Sequence, residues 1–264
     1  MLRTVTHVFH CAGCSTDWAP LRLYEEGNVA SVRAMLALAT RHMPALQRFV
    51  HVSTTDVYGY PEIAGDETAA LRDVHLPYNS TKLRGENLVW EAAASGLPVT
   101  VLRPASIYGP GGKAFVTDIV ALLRQRLMLL VDGGRTPGGF VYVDDVCAAM
   151  LGAAAEPRAV GEAYNLSSID GTTWRRYTSA LARALGIPAP WLQLPFGAAL
   201  ALATMSELPH RAGLSGRPLL TRHAAYLLGR DQEYQTAKAR QHLGWAPRMS
   251  LAEGIAHSTA LLKK

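Results

Sequence analysis

The sequence predicts an α/β fold: a parallel sheet whose strands are joined by crossover helices. Short apolar runs closed by small or turn residues alternate with helix-length segments whose apolar residues recur three and four apart. With 264 residues and 49% hydrophobic composition, the chain can bury a large core as one α/β unit or one and a half. It carries no repeat and no low-complexity tract.

Five of the residues from Val5 to Ala12 are apolar, and the pair Ala12-Gly13 ends the run, as expected of a buried strand stopping at a tight loop. "LRLYEEGNVASVRAMLALATRH" follows with Val29, Val32 and Leu36 at helical spacing, and Pro44 closes it. "RFVHVS" is the second strand. A polar loop from Tyr60 to Leu76 leads to the helix "YNSTKLRGENLVWEAAASG", stopped by Gly96, and "PVTVLRP" is the third strand. Beyond Ala105 the pattern loosens through "SIYGPGGKAF" into a helix reaching Arg126, the short strand "GGFVYV" and the helix "DDVCAAMLGAAAE". "EAYNLSS" is one more strand. Helices are predicted over 172–185, 196–208, 221–229, 236–243 and 250–262. The segment "FGAALALATMSEL" is apolar all round but too short to span a bilayer, so a buried or substrate-facing helix is expected.

The formal charge is +5, but the Lys and Arg are scattered, and the one terminal cluster is Lys263-Lys264. No basic helix stripe or nucleic-acid module occurs, so no nucleic-acid partner is expected. No stretch approaches the roughly 20 apolar residues of a membrane span, and His7 and His10 interrupt a signal-like run. A soluble cytoplasmic protein is the expectation. Of the three cysteines, Cys11 and Cys14 form a C-x-x-C with neither a helix directly after it nor a second ligand pair. They read as small residues closing a strand rather than a redox or zinc site, and Cys147 reads as core.

Chemistry concentrates in "HVSTTDVYG", "YNSTK" and "LRPASIYGPGG". Tyr78 and Lys82 are four apart, so on a helix they share a face and an ammonium can sit close to a phenol. A nearby cation favours the phenolate and lowers a tyrosine pKa from about 10 toward neutrality, which suits a general acid/base moving a hydroxyl proton. A hydroxyl at the end of the adjacent strand, Thr54 or Ser53, would hold the substrate oxygen. Alone, Y-x-x-x-K is a common surface pair. Its place between a hydroxyl-rich strand end and a strand ending in R-P raises its weight.

"THVFHCAG", "GNVASV", "VSTTDVYGYP", "PYNSTK", "LRPASIYGPGG", "FVYVDDV", "AYNLSS" and "KARQHLGWAP" together resemble, in order and spacing, the extended short-chain dehydrogenase/reductases. Within that group they look most like the 3-beta-hydroxysteroid dehydrogenase-like and NAD-dependent epimerase/dehydratase branch, and the resemblance covers essentially the whole chain. It implies a Rossmann-type sheet and NAD or NADP as cofactor. It further implies Tyr78 as catalytic acid/base, Lys82 as the residue that steers the nicotinamide ribose and lowers the tyrosine pKa, and Thr54 as the substrate-orienting hydroxyl. Ala12 and Gly13 would line the adenosine side and Pro104, Ala105 and Ser106 the nicotinamide end, with Ser53, Tyr78 and Lys82 also touching the cofactor. The implied division is a partial dinucleotide-binding core over 1–165, with 105–138 partly substrate-side, and a mostly helical substrate region over 166–264.

Two departures stand out. The family resembled opens with a strand and a G-x-x-G-x-x-G turn that seats the pyrophosphate on a helix N-terminus. This chain has no such turn; its first strand looks like the family's fourth, so the expectation is that about 60 residues holding three strands, at about 30 per strand and crossover, are absent through a misassigned start, a fragment or a genuine deletion. That leads us to expect an exposed first strand, weak dinucleotide binding, and aggregation or a homodimer through that edge. Second, nucleotide-sugar members carry an Arg that grips the diphosphate where this chain has Gly138, and dehydratases carry Asp-Glu where it has Thr55-Asp56. The expected activity is therefore reversible NAD(P)-linked oxidation of a secondary alcohol on an apolar, sterol-like or hydroxy-acid substrate. A nucleotide-sugar epimerase or dehydratase, and an inactive fragment or pseudoenzyme, are the alternatives.

Overall fold

The computed structural model describes residues 2–262, so the Lys263-Lys264 pair lies outside the described residues. Strand β1 (His7–His10) is followed by α1 (Leu21–Glu25), which continues through a π turn at Glu26–Ala30 into α2 (Ser31–His42). The predicted single helix is thus one run with a wider turn in it, and such turns commonly mark working sites. Strand β2 (Arg48–Val52), α3 (Pro77–Ala94) and β3 (Val99–Pro104) come next. Then come β4 (Ile107–Tyr108), α4 (Asp118–Arg124), β5 (Leu129–Val131), β6 (Val141–Tyr142), α5 (Val143–Ala155) and β7 (Glu162–Leu166). The rest is α6 (Trp174–Ala184), β8 (Leu192–Leu194), α7 (Phe196–Arg211), α8 (Arg222–Gly229), α9 (Ala237–Leu243) and α10 (Leu251–Thr259).

The main sheet has the order β1-β2-β3-β7, with every pair parallel. Its strands are apolar on both faces because helices cover both. Phe49, Val99 and Val101 pack with Val32, Leu36 and Val89 from α2 and α3, whereas Val50 and Leu102 pack with Ala149, Tyr164 and Trp245 on the α5 and α9 side. Strand β1 lies at one edge, where Phe9 is 39% exposed. A third cluster is aromatic: Phe140 stacks on Tyr177 at 3.8 Å between centroids, with Tyr108 and Trp174 edge-on around them.

Helix α3 presses so closely on the π turn that a Cβ at Gly85 would fall on the Asn28 carbonyl oxygen, so only glycine permits this approach. Strand β6 lies within the predicted strand "GGFVYV", whereas β4, β5 and β8 escaped the sequence reading, since two or three residues carry too little periodicity to read. Two expectations need correction. Cys147 is exposed, because it lies one residue beyond Val146 on a helix whose buried stripe is Val146, Ala149 and Ala153. Helix α7 is not buried all round: Ala199, Ala203 and Glu207 form its inner stripe, and Met205 is 70% exposed. No helix among the described residues is long and apolar enough to cross a membrane.

Candidate active site

The loops that leave the C-terminal ends of β1, β2 and β3 bring the candidate residues together, the position at which open parallel sheets present ligand sites. After β2 the chain enters a single 3₁₀ turn, Thr55–Tyr58, which Gly59 ends at φ 74°. Thr54 caps it, its hydroxyl accepting the Asp56 N–H at 3.2 Å. Asn79 then joins this turn to the start of α3. Its Nδ2 donates to the carbonyls of Asp56 (2.7 Å) and Arg72 (3.0 Å), and its Oδ1 accepts the Val74 N–H at 2.9 Å. Pro77, at the first helical position, starts α3 directly before Tyr78.

Thr54 lies beside the Tyr78 phenol and Lys82 follows one turn further along α3, but the electrostatics of the phenol differ from the expectation. The Thr54 hydroxyl, beside the phenol, favours its anion. Burial and then the charge of Asp56 push the phenol above its ordinary value, and Thr54 opposes them only in part. The Lys82 ammonium ends at the sheet, where Nζ donates to the Val52 carbonyl at 2.8 Å. Sharing a helix face brings the two side chains to the same region. Where the lysine stem ends is decided by the free carbonyl at the end of β2.

Burial lowers Lys82 to about 8, against the opposing attraction of Glu86 and Asp56. Its value in the unfolded chain is about 10.4, so between these values the unfolded state binds more protons and stability rises with pH. We therefore expect the stability of the wild type relative to Lys82→Met to grow by about 3 kcal/mol between about pH 7 and 10.5. Urea unfolding at a series of pH values measures it, with tyrosine ionisation common to both proteins. A difference that stays flat across the window would remove the buried charge from the account.

Ser53 is turned away from this group. Its hydroxyl donates at 2.5 Å to Glu86, which is wholly buried and also accepts from Arg103 Nη2 (2.6 Å) and Trp90 Nε1 (3.0 Å). Arg103 extends the network through Tyr58, which donates to Asn165 at 2.8 Å. This polar cluster under the site ties β2, α3, β3 and β7 together.

Among the cofactor residues expected from the sequence, Ala12 and Gly13 lie exposed in the loop after β1. Asn28, from the π turn, holds that loop by accepting the Cys14 N–H at 2.8 Å, and it donates to Thr81 at 3.0 Å. Pro104 ends β3, the Ala105 N–H donates to the Leu166 carbonyl, and Ser106 is buried with its hydroxyl unpartnered among the described residues. That orphaned hydroxyl, together with a three-donor Lys82 ammonium bonded to one carbonyl, fits the polar nicotinamide-ribose end of a dinucleotide. The described residues contain no glycine-rich turn running from a strand into a helix for the pyrophosphate end.

The sequence reading missed a further group. Asp56 Oδ2 accepts from the Tyr60 hydroxyl at 2.8 Å and lies 2.9 Å from Nε2 of His223, on α8. The His223 ring in turn stacks on Tyr78, 5.2 Å between centroids and 18° from parallel. Asp56 stood inside a quoted motif, but nothing local marks a lone histidine 167 residues away as its partner.

Comparison with known proteins agrees with this geometry. The family described as "NAD dependent epimerase/dehydratase family" matches residues 2–167. The chain is 34% identical over 252 residues to a 4-hydroxy-2-methyl-3-oxo-4-farnesyl-3,4-dihydroquinoline-1-oxide ketoreductase of Stigmatella aurantiaca, covering 94% of this chain and 75% of that protein. It is 29% identical to a 2-alkyl-3-oxoalkanoate reductase of Stenotrophomonas maltophilia (strain K279a), covering 95% and 78%. Among solved structures, UDP-glucuronic acid 4-epimerase from Bacillus cereus, in complex with UDP-glucuronic acid and NAD, superposes with a TM-score of 0.75 at 21% identity, covering 99% of this chain and 76% of that one. RMD from Pseudomonas aeruginosa, complexed with NADPH, gives 0.71 at 20% identity, covering 98% and 82%. At these identities the structural likeness concerns the fold.

Proposed function

The chain belongs to the NAD dependent epimerase/dehydratase family, and on that premise we propose that it is an NAD(P)-dependent ketoreductase acting on an apolar oxo compound, with Tyr78 as acid/base. The observation that carries this reading is the placement of the Tyr78 phenol, at the start of α3, beside Thr54 at the end of β2. The nicotinamide, when bound, supplies the hydride to the carbonyl carbon or takes it from the alcohol. Tyr78 gives its phenolic proton to the substrate oxygen in reduction and takes it back in oxidation. Thr54, beside that phenol, orients the substrate oxygen, and Lys82, held at the Val52 carbonyl, steers the nicotinamide ribose. The residues from 166 onward form the substrate side.

Two observations favour an apolar substrate over a nucleotide sugar. At Gly138, where nucleotide-sugar members carry a diphosphate-gripping Arg, a Cβ would fall inside the Phe140 ring, and that ring is locked between Tyr177 and Trp174. No longer side chain fits there. The two sequence relatives described above are reductases whose named substrates carry a farnesyl or an alkyl chain.

The test offers the protein NADH and NADPH with a 2-alkyl-3-oxoalkanoate, a 3-ketosteroid and UDP-glucuronic acid. We expect net loss of reduced nicotinamide with an oxo compound and no thermal stabilisation by the UDP-sugar. Epimerisation of the UDP-sugar without net cofactor change would overturn the reading.

A further inference from the structure

Tyr78 sits in an environment that disfavours its anion: burial and the neighbouring Asp56 both raise the phenol, and Lys82 is engaged at Val52. A general acid/base needs both of its forms within reach. One titratable side chain lies against the ring itself. His223 is 7% exposed and stacks on Tyr78, with Nε2 held by Asp56 at 2.9 Å and Nδ1 buried without a partner among the described residues. Asp56 is itself fixed twice, through Tyr60 on its carboxylate and Asn79 on its carbonyl, so the imidazole has little freedom to swing away.

We propose that His223 is the positioning residue of Tyr78: held by Asp56 and stacked on the phenol, its imidazole fixes the ring and occupies the Asp56 carboxylate beside the reacting oxygen. This rests on the reading of Tyr78 as acid/base. The groups facing the imidazole are Asp56 and Tyr60 from the turn after β2 and Tyr78 from α3. The other charged and titratable groups nearby are engaged elsewhere. Arg222 pairs with Glu207 of α7, Asp17 with Arg217 and the Thr221 hydroxyl, and Arg230 lies over the Phe196 ring, while Tyr226 stacks on Tyr60. Asp56 is therefore the charge that His223 answers. Because His223 lies on α8, the arrangement also ties the C-terminal region to the acid/base without any bond to the phenolic oxygen.

The test needs no substrate. Protein labelled with 3-fluorotyrosine, a more acidic phenol, gives one fluorine resonance per tyrosine, and Tyr78→Phe identifies that of residue 78. His223→Phe keeps a stacked ring, and His223→Gln keeps a donor to Asp56. His223→Phe, which leaves the Asp56 carboxylate without that donor, should ionise the residue-78 phenol at least about one pH unit higher, a tenfold change, whereas His223→Gln, which keeps the donor, should shift it less. Identical titration curves in all three proteins would overturn the proposal. So would loss of the cooperative thermal transition in both variants, which would make His223 a structural residue. An active Tyr78→Phe enzyme would instead overturn the acid/base reading and leave the titration result standing.

Discussion

Tyr78→Phe is expected to lower turnover by about 10²- to 10⁴-fold while leaving dinucleotide affinity and thermal stability nearly unchanged. The substitution removes one hydroxyl from a ring that keeps its stack on His223, and so it deletes the proton and little else. The neighbouring Thr54 hydroxyl keeps its cap on the turn by accepting from the Asp56 N–H. Steady-state kinetics with the best oxo substrate, beside calorimetric titration of NADH and NADPH, would separate chemistry from binding. A Phe enzyme keeping more than about a tenth of wild-type turnover would exclude Tyr78 as proton carrier, since a general acid/base contributes at least 10²-fold.

Glu86→Ala is expected to cost about 3–5 kcal/mol of stability, the loss that follows from stranding a buried charge. Arg103 has 5% of its side chain exposed and donates to Glu86 through both Nε and Nη2; without the carboxylate it keeps only the Tyr58 oxygen. Ser53 and Trp90 lose an acceptor at the same time. Since a whole domain is stable by only about 5–15 kcal/mol, the variant should melt far below the wild type. Glu86→Leu with Arg103→Met should recover most of the loss, because replacing both partners of a buried pair leaves no unpaired charge. Urea unfolding of the two singles and the double measures the coupling. Additive losses, with no recovery in the double variant, would show that the pair is not the source of the cost.

The architecture and much of the site were legible in the residue order. Alternation of short apolar runs with helix-period segments foretold the parallel strands from His7, Arg48, Val99 and Glu162 and their crossover helices. The four-residue spacing of Tyr78 and Lys82 placed both on one face of α3, and the hydroxyl-rich end of β2 placed Thr54 beside them. These are local facts: a helix turn and a strand pleat relate residues only a few positions apart, and a periodic pattern records such neighbours. What tertiary packing alone decided lies beyond that range. The Lys82 ammonium ends on the Val52 carbonyl, Ser53 serves Glu86, and the phenol is raised by burial and Asp56. His223 reaches Asp56 and the Tyr78 ring across 167 residues. Each of these depends on which free carbonyl, carboxylate or ring face stands where elements distant in sequence meet, and no spacing within a single element encodes it.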